Sequence, residues 1–281
     1  MSWLRTVNSR VRSLGPIQQA LAAVGCLLTI QYTGNIIAYY ELLPIVFGKD
    51  PNGVIKNTAY VVPGILSVVF SLYLGGMKGL DKLVRPYTVW RVRLRYWVLV
   101  IFVMLLLNYI GLLVSDIVLM REVKFRDITW VDWGFIRQYT PFFASIGISD
   151  ELFWIGFVLP RLVQGGLTPL KASLVLGCLW GLDYVPYIFT GFFIVEGVNV
   201  STQLLASAAL APWYAWLYYR TGSALVLLVF AVFVQYGQQL LPLLPHVNDG
   251  SNVETVSAIF VWFVFGMLLW KFLPVSNNAR L

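Results

Sequence analysis

The hydrophobic residues of this chain are collected into long blocks, and polar residues lie mostly between the blocks. Each block has about 20 residues, the length at which an α-helix crosses a hydrocarbon layer of about 30 Å. The pattern predicts an all-α polytopic membrane protein that forms one membrane domain. We predict about eight transmembrane helices, over residues 17–47, 57–77, 96–120, 138–163, 168–190, 200–219, 222–244 and 254–273.

Basic residues are concentrated in alternate loops, which predicts the orientation of the chain. The loop over 78–95 contains many lysines and arginines against a single acid, Asp81. By the positive-inside rule this loop and both termini are expected in the cytoplasm. The loop over 121–137 departs from the pattern, because its basic residues lie on the predicted outer side. Its aromatic segment FRDITWVDWGFIRQY predicts an amphipathic helix along the membrane interface.

Composition supports a membrane protein and argues against nucleic-acid binding. The chain is 59% hydrophobic and 12% charged, whereas soluble domains carry about 25% charged residues. The net charge of +7 is accounted for by the basic loops. Cys26 and Cys178 lie in apolar segments and imply no disulfide framework. The basic N-terminal tail leads into a long apolar stretch without a cleavage motif, so we expect a retained first helix. The absence of a transit peptide and the positive-inside pattern predict a bacterial inner (plasma) membrane.

The segment SDELFWIGFVLPRLVQ, residues 149–164, places two adjacent acids, Asp150 and Glu151, inside the fourth predicted span. An ionised acid at bilayer depth costs about 2.5–3.5 kcal/mol on insertion scales, so intramembrane acids mark candidate functional sites. Neighbouring residues of an α-helix are about 100° apart, so only one acid is expected to face a cavity fully. The structural alternative is that Gly147 and Ser149 open a helix N-terminus, which the acids cap.

Other polar residues lie within predicted spans. Asp183 and Tyr184 belong to WGLDY in the fifth span, and Gln235 and Gln239 lie one helical turn apart in FVQYGQQ of the seventh. Glutamines between membrane helices also serve as packing hydrogen bonds, and for Gln235 alone that is the simpler interpretation.

Three segments together resemble a known family. DELFWIGFVLPRL resembles the first motif of the CPBP family (CAAX protease and bacteriocin-processing, also called ABI), Glu-Glu-x-x-x-Arg-Gly, often followed by Leu-Pro-Arg-Leu. WLYYRTGSALVLLVFAVFVQ resembles its Arg-Thr-Gly-Ser segment leading into His-x-x-x-Asn, and LVLGCLWGLDY its helix ending in Phe-x-x-x-His. The resemblance implies a CPBP-like core over 138–244, preceded by the tail and three helices over 1–137 and followed by the last helix and tail over 245–281.

The resemblance also shows where the chain departs from the family pattern. Asp150 and Glu151 stand for the family's glutamate pair. Ile155 stands at the position of the motif arginine, and Trp180 at that of the phenylalanine. Tyr184 and Ala231 stand at the positions of the first and second histidines, and Gln235 at that of the asparagine.

In the family, the acid is thought to activate a water for peptide-bond hydrolysis, while the histidines and asparagine bind a metal or stabilise the oxyanion. The single histidine of this chain, His246, is predicted on the outer side, away from the acids. A zinc site needs about three protein ligands. An all-carboxylate set from Asp150, Glu151 and Asp183 suits a hard ion better than zinc. We therefore expect no metal and no other cofactor.

Three functions stay open at this point. The leading hypothesis is a catalytically degenerate CPBP-fold protein that binds an integral membrane protein or peptide, with membrane lipids around it, as a subunit, assembly factor or chaperone. Its expected binding residues are Asp183, Tyr184, Trp180, Gln235 and Gln239, beside the acids. The second is an active intramembrane glutamate-type endopeptidase in which Glu151 is the general base, with Asp150 beside it. The third is a lipid or small-molecule binding protein or a transporter, suggested by the aromatic content.

Overall fold

The computed structural model describes residues 13–39, 51–125, 133–190 and 197–275. This part of the chain is helical throughout, apart from short connections. The α-helices are α1 (Pro16–Tyr39), α2 (Pro51–Val84), α3 (Leu94–Val118), α4 (Trp133–Asp150), α5 (Leu159–Gln164), α6 (Pro169–Phe189), α7 (Val200–Thr221), α8 (Ala224–Leu240) and α9 (Val253–Phe272). A π-helix, Glu151–Val158, joins α4 to α5, and 3₁₀ turns lie at Arg85–Thr88 and Pro245–Val247.

The helices confirm the predicted polytopic all-α membrane fold. Each predicted span contains one main helix, and the fourth is formed by α4, the π-helix and α5 together. Six helical segments of the described ranges are long and apolar enough to cross a membrane. Helix α8 is apolar but has 17 residues, and α7 is not among the six. Residues 40–47 of the first predicted span and 126–132 of the predicted interfacial helix lie outside the described residues.

The apolar core is centred on the π-helix. Phe153, Trp154 and Phe157 are fully buried there, with α2, α6 and α7 packed around them. Large aromatic side chains dominate the energetics of such cores because each buries a large apolar area. The π-helix is therefore held on several sides, and the two acids at its start are fixed relative to the bundle.

Helices α6 and α7 pack closely against each other, and two glycines of α6 permit this short distance between the helices. A Cβ on Gly177 would lie 2.7 Å from the Cα of Ala208, and one on Gly181 would lie 2.9 Å from Leu204 Cδ2. Small residues spaced by four allow membrane helices to approach at backbone distance. The Gly-x-x-x-Gly spacing of α6 thus sets the position of Trp180 and the following residues against α7.

We expect Gly177→Leu to destabilise the folded protein, because the new side chain would overlap the backbone of α7. Overpacking a tight contact costs typically about 1–3 kcal/mol. Gly25→Leu on α1 is the matched control, since a Cβ there meets no atom within 4 Å. Thermal unfolding in mild detergent should show a lower Tm for Gly177→Leu and little change for Gly25→Leu. Equal Tm values for the two variants would contradict the close α6–α7 packing.

Helix α9 closes the bundle against α3 and α7. A Cβ on Gly111 would lie only 2.4 Å from the Cα of Ala258, so α3 and α9 touch through their backbones. The indole of Trp262 donates to Asn108 Oδ1 at 2.8 Å, and the indole of Trp213 donates to the carbonyl of Trp262 at 2.8 Å. These buried hydrogen bonds satisfy polar groups that lipid cannot satisfy.

The two ends of the bundle differ in charge. At one end the Ser223 hydroxyl donates to the carbonyl of Val89 at 2.5 Å, and Arg220 donates to the carbonyl of Leu273 at 2.6 Å. We call this the basic end, because it gathers the lysines and arginines of the basic loops: Lys78, Lys82, Arg85, Arg91, Arg93, Arg95, Lys171, Arg220 and Lys271. At the opposite end Arg121 pairs with the buried Glu254 at 3.2 Å.

Candidate functional site

Asp150 and Glu151 lie inside a continuous helical segment. Asp150 has φ −65° and ψ −43°, and its side chain makes no capping hydrogen bond. Helix α4 runs directly into the π-helix, and the Ser149 hydroxyl accepts a hydrogen bond from the backbone N–H of Gly64 at 2.8 Å. The alternative that the acids cap a broken helix is therefore wrong, since Ser149 is used to tie α4 to α2.

Both acids face the same cavity, which differs from the expectation that only one would. Asp150 is 7% exposed and Glu151 is 3% exposed, and both line the cavity wall. The 100° spacing behind the expectation holds for a regular α-helix. The change from α-helix to π-helix at Glu151 alters that spacing, and such π segments occur frequently at functional sites.

The cavity lies between α4, α6, α7, α8 and α9 and has a volume of about 130 Å³. It starts at the two acids and continues toward the end opposite the basic end, where Leu244 and Thr255 line it. Its polar lining residues besides the acids are Tyr60, Trp180, Tyr184, Thr202, Gln203, Ser207, Tyr214, Gln235, Gln238, Thr255 and Trp262.

Asp150 is held by a neighbour from α6. The Tyr184 hydroxyl donates to Asp150 Oδ2 at 2.8 Å. Trp180, one turn earlier on α6, forms part of the same wall and lies edge-on to Tyr214, with ring centroids 5.4 Å apart. This carboxyl group therefore has a defined hydrogen-bond donor inside the protein.

Glu151 is buried without such a donor. Neither of its carboxyl oxygens has a hydrogen-bond partner among the described residues. The Tyr87 hydroxyl lies beside it, but donates to the backbone carbonyl of Ile148 at 3.3 Å. Leaving a buried polar group unsatisfied costs about 1–3 kcal/mol. A water, a ligand or a partner group in the cavity would satisfy these oxygens, so Glu151 marks a candidate binding position.

Asp183 and Gln239 are not among the cavity-lining residues. Asp183 is 3% exposed and lies near Tyr32 and Tyr187, on the side of α6 that faces α1. Gln235 does line the cavity, and Gln238 rather than Gln239 lines it with Gln235. Residues three apart share a helix face, so the Gln235–Gln238 spacing was the signal in FVQYGQQ that sequence reasoning missed.

Helices α2 and α7 supply lining residues that the sequence did not indicate. Tyr60 comes from α2, and Thr202, Ser207 and Tyr214 come from α7. The available signal was the polar character of α7 itself, since a membrane helix with several hydroxyl groups often presents them to a cavity or a neighbouring helix. Of the six described α-helices that line the cavity, all except α4 thus contribute hydroxyl or amide groups.

The motif positions of the resemblance meet in space. Trp180, Tyr184, Ala231 and Gln235 all line the cavity that holds the two acids. Ile155, at the position of the motif arginine, is instead 2% exposed and belongs to the apolar core. Where the family pattern has two histidines, the wall of this cavity therefore presents a phenol and a methyl group.

The donor set does not fit the metal that the family pattern suggests. Among the described residues, no group of three or more His, Cys, Asp or Glu side chains is placed to hold a metal ion. His246 is exposed and does not line the cavity. A zinc site would need about three such ligands, so we derive no chemical step through a metal.

Fold and cavity together define a polytopic α-helical membrane protein with a buried acidic site. Within that class, residues 132–237 match the family model described as Rce1-like, type II CAAX prenyl endopeptidase Rce1-like. The match includes the acidic motif, α6, α7 and most of α8, and it confirms the resemblance to the CPBP family. None of the curated proteins compared with the chain matches it.

The Tyr184–Asp150 hydrogen bond gives a direct test of the site geometry. We expect Tyr184→Phe to lower the free energy of unfolding by about 1–3 kcal/mol, because Asp150 would lose its donor while buried. Tyr219→Phe is the control, since the Tyr219 hydroxyl is buried without a hydrogen-bond partner among the described residues. Unfolding in mild detergent should separate the two variants. Equal stabilities would mean that the hydrogen bond does not form.

Proposed function

We propose that this chain is a catalytically degenerate CPBP-fold membrane protein that binds another membrane protein or peptide without cutting it. The observation that carries the proposal is the replacement of both motif histidines by Tyr184 and Ala231 within one cavity that retains Asp150 and Glu151. The site has two buried acids but no imidazole group among its lining residues.

Peptide hydrolysis by such a site is expected to be very slow. An activated water requires a base, and Glu151 is the remaining candidate. The developing oxyanion also requires donors, and losing one donor typically costs about 10²–10³-fold in rate. Tyr184 donates its hydroxyl hydrogen to Asp150, so that hydrogen is engaged elsewhere. The remaining amide donors on the cavity wall are Gln203, Gln235 and Gln238.

Binding makes better use of the same groups. The unsatisfied oxygens of Glu151 can accept hydrogen bonds from an amide, hydroxyl or ammonium group of an inserted segment. Leu210, Ile259 and Phe143 give the cavity apolar walls for the rest of that segment. Binding would give the buried Glu151 carboxyl group hydrogen-bond partners and so remove the free-energy cost of leaving it unsatisfied. This stabilisation is present only in the complex with the partner. The protein would then serve as a subunit, assembly factor or chaperone.

The proposed location is a bacterial inner membrane, with both termini and the basic end on the cytoplasmic side. The alternation of the basic loops supports this orientation through the positive-inside rule. The cavity would then open toward the outer half of the membrane, where an inserted partner segment can enter it.

Purification of the tagged full chain in mild detergent tests the proposal. A binding protein should carry a near-stoichiometric membrane protein or peptide, whose amount does not change when a metal chelator is present. Recovery of a small molecule or lipid in the cavity, with no polypeptide partner, would overturn the proposal in favour of small-molecule binding. Loss of the complex with chelator would also contradict it, because no metal is expected in the interaction.

A further inference from the structure

A second concave site lies at the basic end of the bundle, and its lining residues are different from those of the acidic cavity. It has a volume of about 310 Å³ and is formed by α1, α2, α5 and the π-helix, with Tyr218 of α7 at its edge. Its polar lining residues include Lys78, Lys82 and Arg161 together with Gln19, Ser71 and Gln164. We propose that this groove, called the basic groove below, binds the phosphate-bearing headgroup of an anionic membrane lipid.

A break in α2 builds one wall of the basic groove. Gly76 has φ 59° and ψ −149°, a conformation that only glycine adopts without strain, and the helix changes direction there. Gly79 lies so close to Ser71 that a Cβ would stand 2.3 Å from its carbonyl oxygen. Lys78 and Lys82 follow the break at a spacing of four, so they share one helix face. That face lines the basic groove.

Arg161 forms the opposite wall and has an unused donor. Its guanidinium lies over the Phe157 ring at 3.5 Å from the centroid, and Nη1 donates to the carbonyl of Phe157 at 3.1 Å. Its Nε is buried without a hydrogen-bond partner among the described residues. The side chain is therefore held in place by Phe157 while part of its hydrogen-bonding capacity is left for a ligand.

None of the three cations of the basic groove forms an ion pair with another described residue. The ion pairs between described residues are Arg121–Glu254 and Lys124–Glu122, both distant from the groove. No carboxylate lines the groove in the described part of the chain. An arginine fork flanked by lysines is the arrangement that recognises phosphate groups. Basic pockets between membrane helices at the headgroup level bind anionic lipids in this way.

The surroundings favour a lipid over a free phosphate ion. Leu72, Met77 and Val84 are large exposed apolar side chains of α2, the helix that supplies Lys78 and Lys82 to the groove. A headgroup in the groove would allow its acyl chains to cover these residues, whereas a free phosphate would leave them bare. The site lies apart from the acidic cavity, so this proposal does not depend on the proposed function.

Native mass spectrometry of the purified full chain tests the proposal. Phosphatidylglycerol and phosphatidylcholine would be added in separate titrations, and inorganic phosphate in a third. We compare the wild type with Lys78→Gln/Lys82→Gln and with Arg161→Gln. Lys171→Gln is the control, because Lys171 is exposed at the same end and does not line the groove. Tm values report whether each variant is folded.

The wild type should bind one phosphatidylglycerol at least about tenfold more tightly than phosphatidylcholine. Each removed cation should weaken this binding by about fivefold, as expected for one charge near an anionic surface. Lys171→Gln should bind as the wild type does. Equal affinity in the wild type and the folded double-lysine variant would overturn the proposal. Displacement of the lipid by millimolar inorganic phosphate, without preference for the lipid, would also overturn it in favour of a soluble phosphate site.

Discussion

Ala231→Phe is expected to weaken retention of the partner by at least about tenfold. Ala231 lines the cavity at the position of the second motif histidine. A Cβ on Gly147 would lie 3.2 Å from its Cβ, so the two residues face each other across a narrow part of the wall. A phenyl ring from α8 would occupy the space in front of Glu151. We expect partner affinity to fall by at least about tenfold, which corresponds to about 1.4 kcal/mol.

Val229→Phe is the matched control for this experiment. Val229 lies on the same helix and is partly buried, but it does not line the cavity. Both variants should be purified in the same detergent, and the ratio of partner to protein should be measured by intact-mass analysis after checking the Tm. The account expects loss of the partner with Ala231→Phe and retention with Val229→Phe. An unchanged ratio with a folded Ala231→Phe protein would place the partner outside the cavity.

Glu151→Leu is expected to stabilise the protein when the partner is absent. The carboxyl group is buried, and its oxygens have no hydrogen-bond partner among the described residues. Replacing it by an apolar side chain of similar size removes an unsatisfied polar group, which is worth about 1–3 kcal/mol. Residues kept for function at the expense of stability show this behaviour when they are replaced. The Tm of the partner-free protein in mild detergent measures the effect.

Glu254→Leu provides a control of opposite sign. Glu254 is also buried, at 1% exposure, but it pairs with Arg121 at 3.2 Å and accepts a hydrogen bond from Ser251 at 2.9 Å. Removing one partner of a fully buried ion pair costs about 3–5 kcal/mol of stability. Arg121 is partly exposed to solvent, so we expect a cost of about 3 kcal/mol or less for this pair. Glu254→Leu should therefore lower the Tm and Glu151→Leu should raise it. Destabilisation by both would mean that Glu151 is a structural residue.

The sequence predicted the helices well because the membrane imposes the length of each apolar block. The predicted second span ended at residue 77, whereas α2 breaks at Gly76 and continues as a second helical segment to Val84. Helix α7 was predicted as one of the eight apolar blocks, although it is not among the six segments that are long and apolar enough to cross a membrane. Hydropathy reports the average composition of a segment. A helix that lines a cavity carries both polar and apolar residues, so its mean hydropathy is lower.

The motif spacing located the site, but the register of individual residues needed the structure. The positions of Tyr184, Ala231 and Gln235 converge on the acids as the resemblance implied. Asp183 turns toward α1, because it is one residue from Tyr184 and adjacent helical positions diverge by about 100°. A sequence gives no sign of a π-helix at Glu151, so the presence of both acids in one wall was not foreseeable. Contacts from α2 and α7 arise from tertiary packing, which periodicity within one helix does not encode.

The measurement that tests the central claim most directly is a parallel purification of wild type and Glu151→Gln from native membranes in mild detergent, followed by intact-mass analysis of the bound partner. Glutamine keeps the size of the side chain and removes the only base that faces the cavity without a donor among the described residues. The account predicts a full-length partner of identical mass in both samples, at near-stoichiometric amount with the wild type. A partner that is shortened with the wild type and full length with Glu151→Gln would show that the acid still cuts, and would contradict the account.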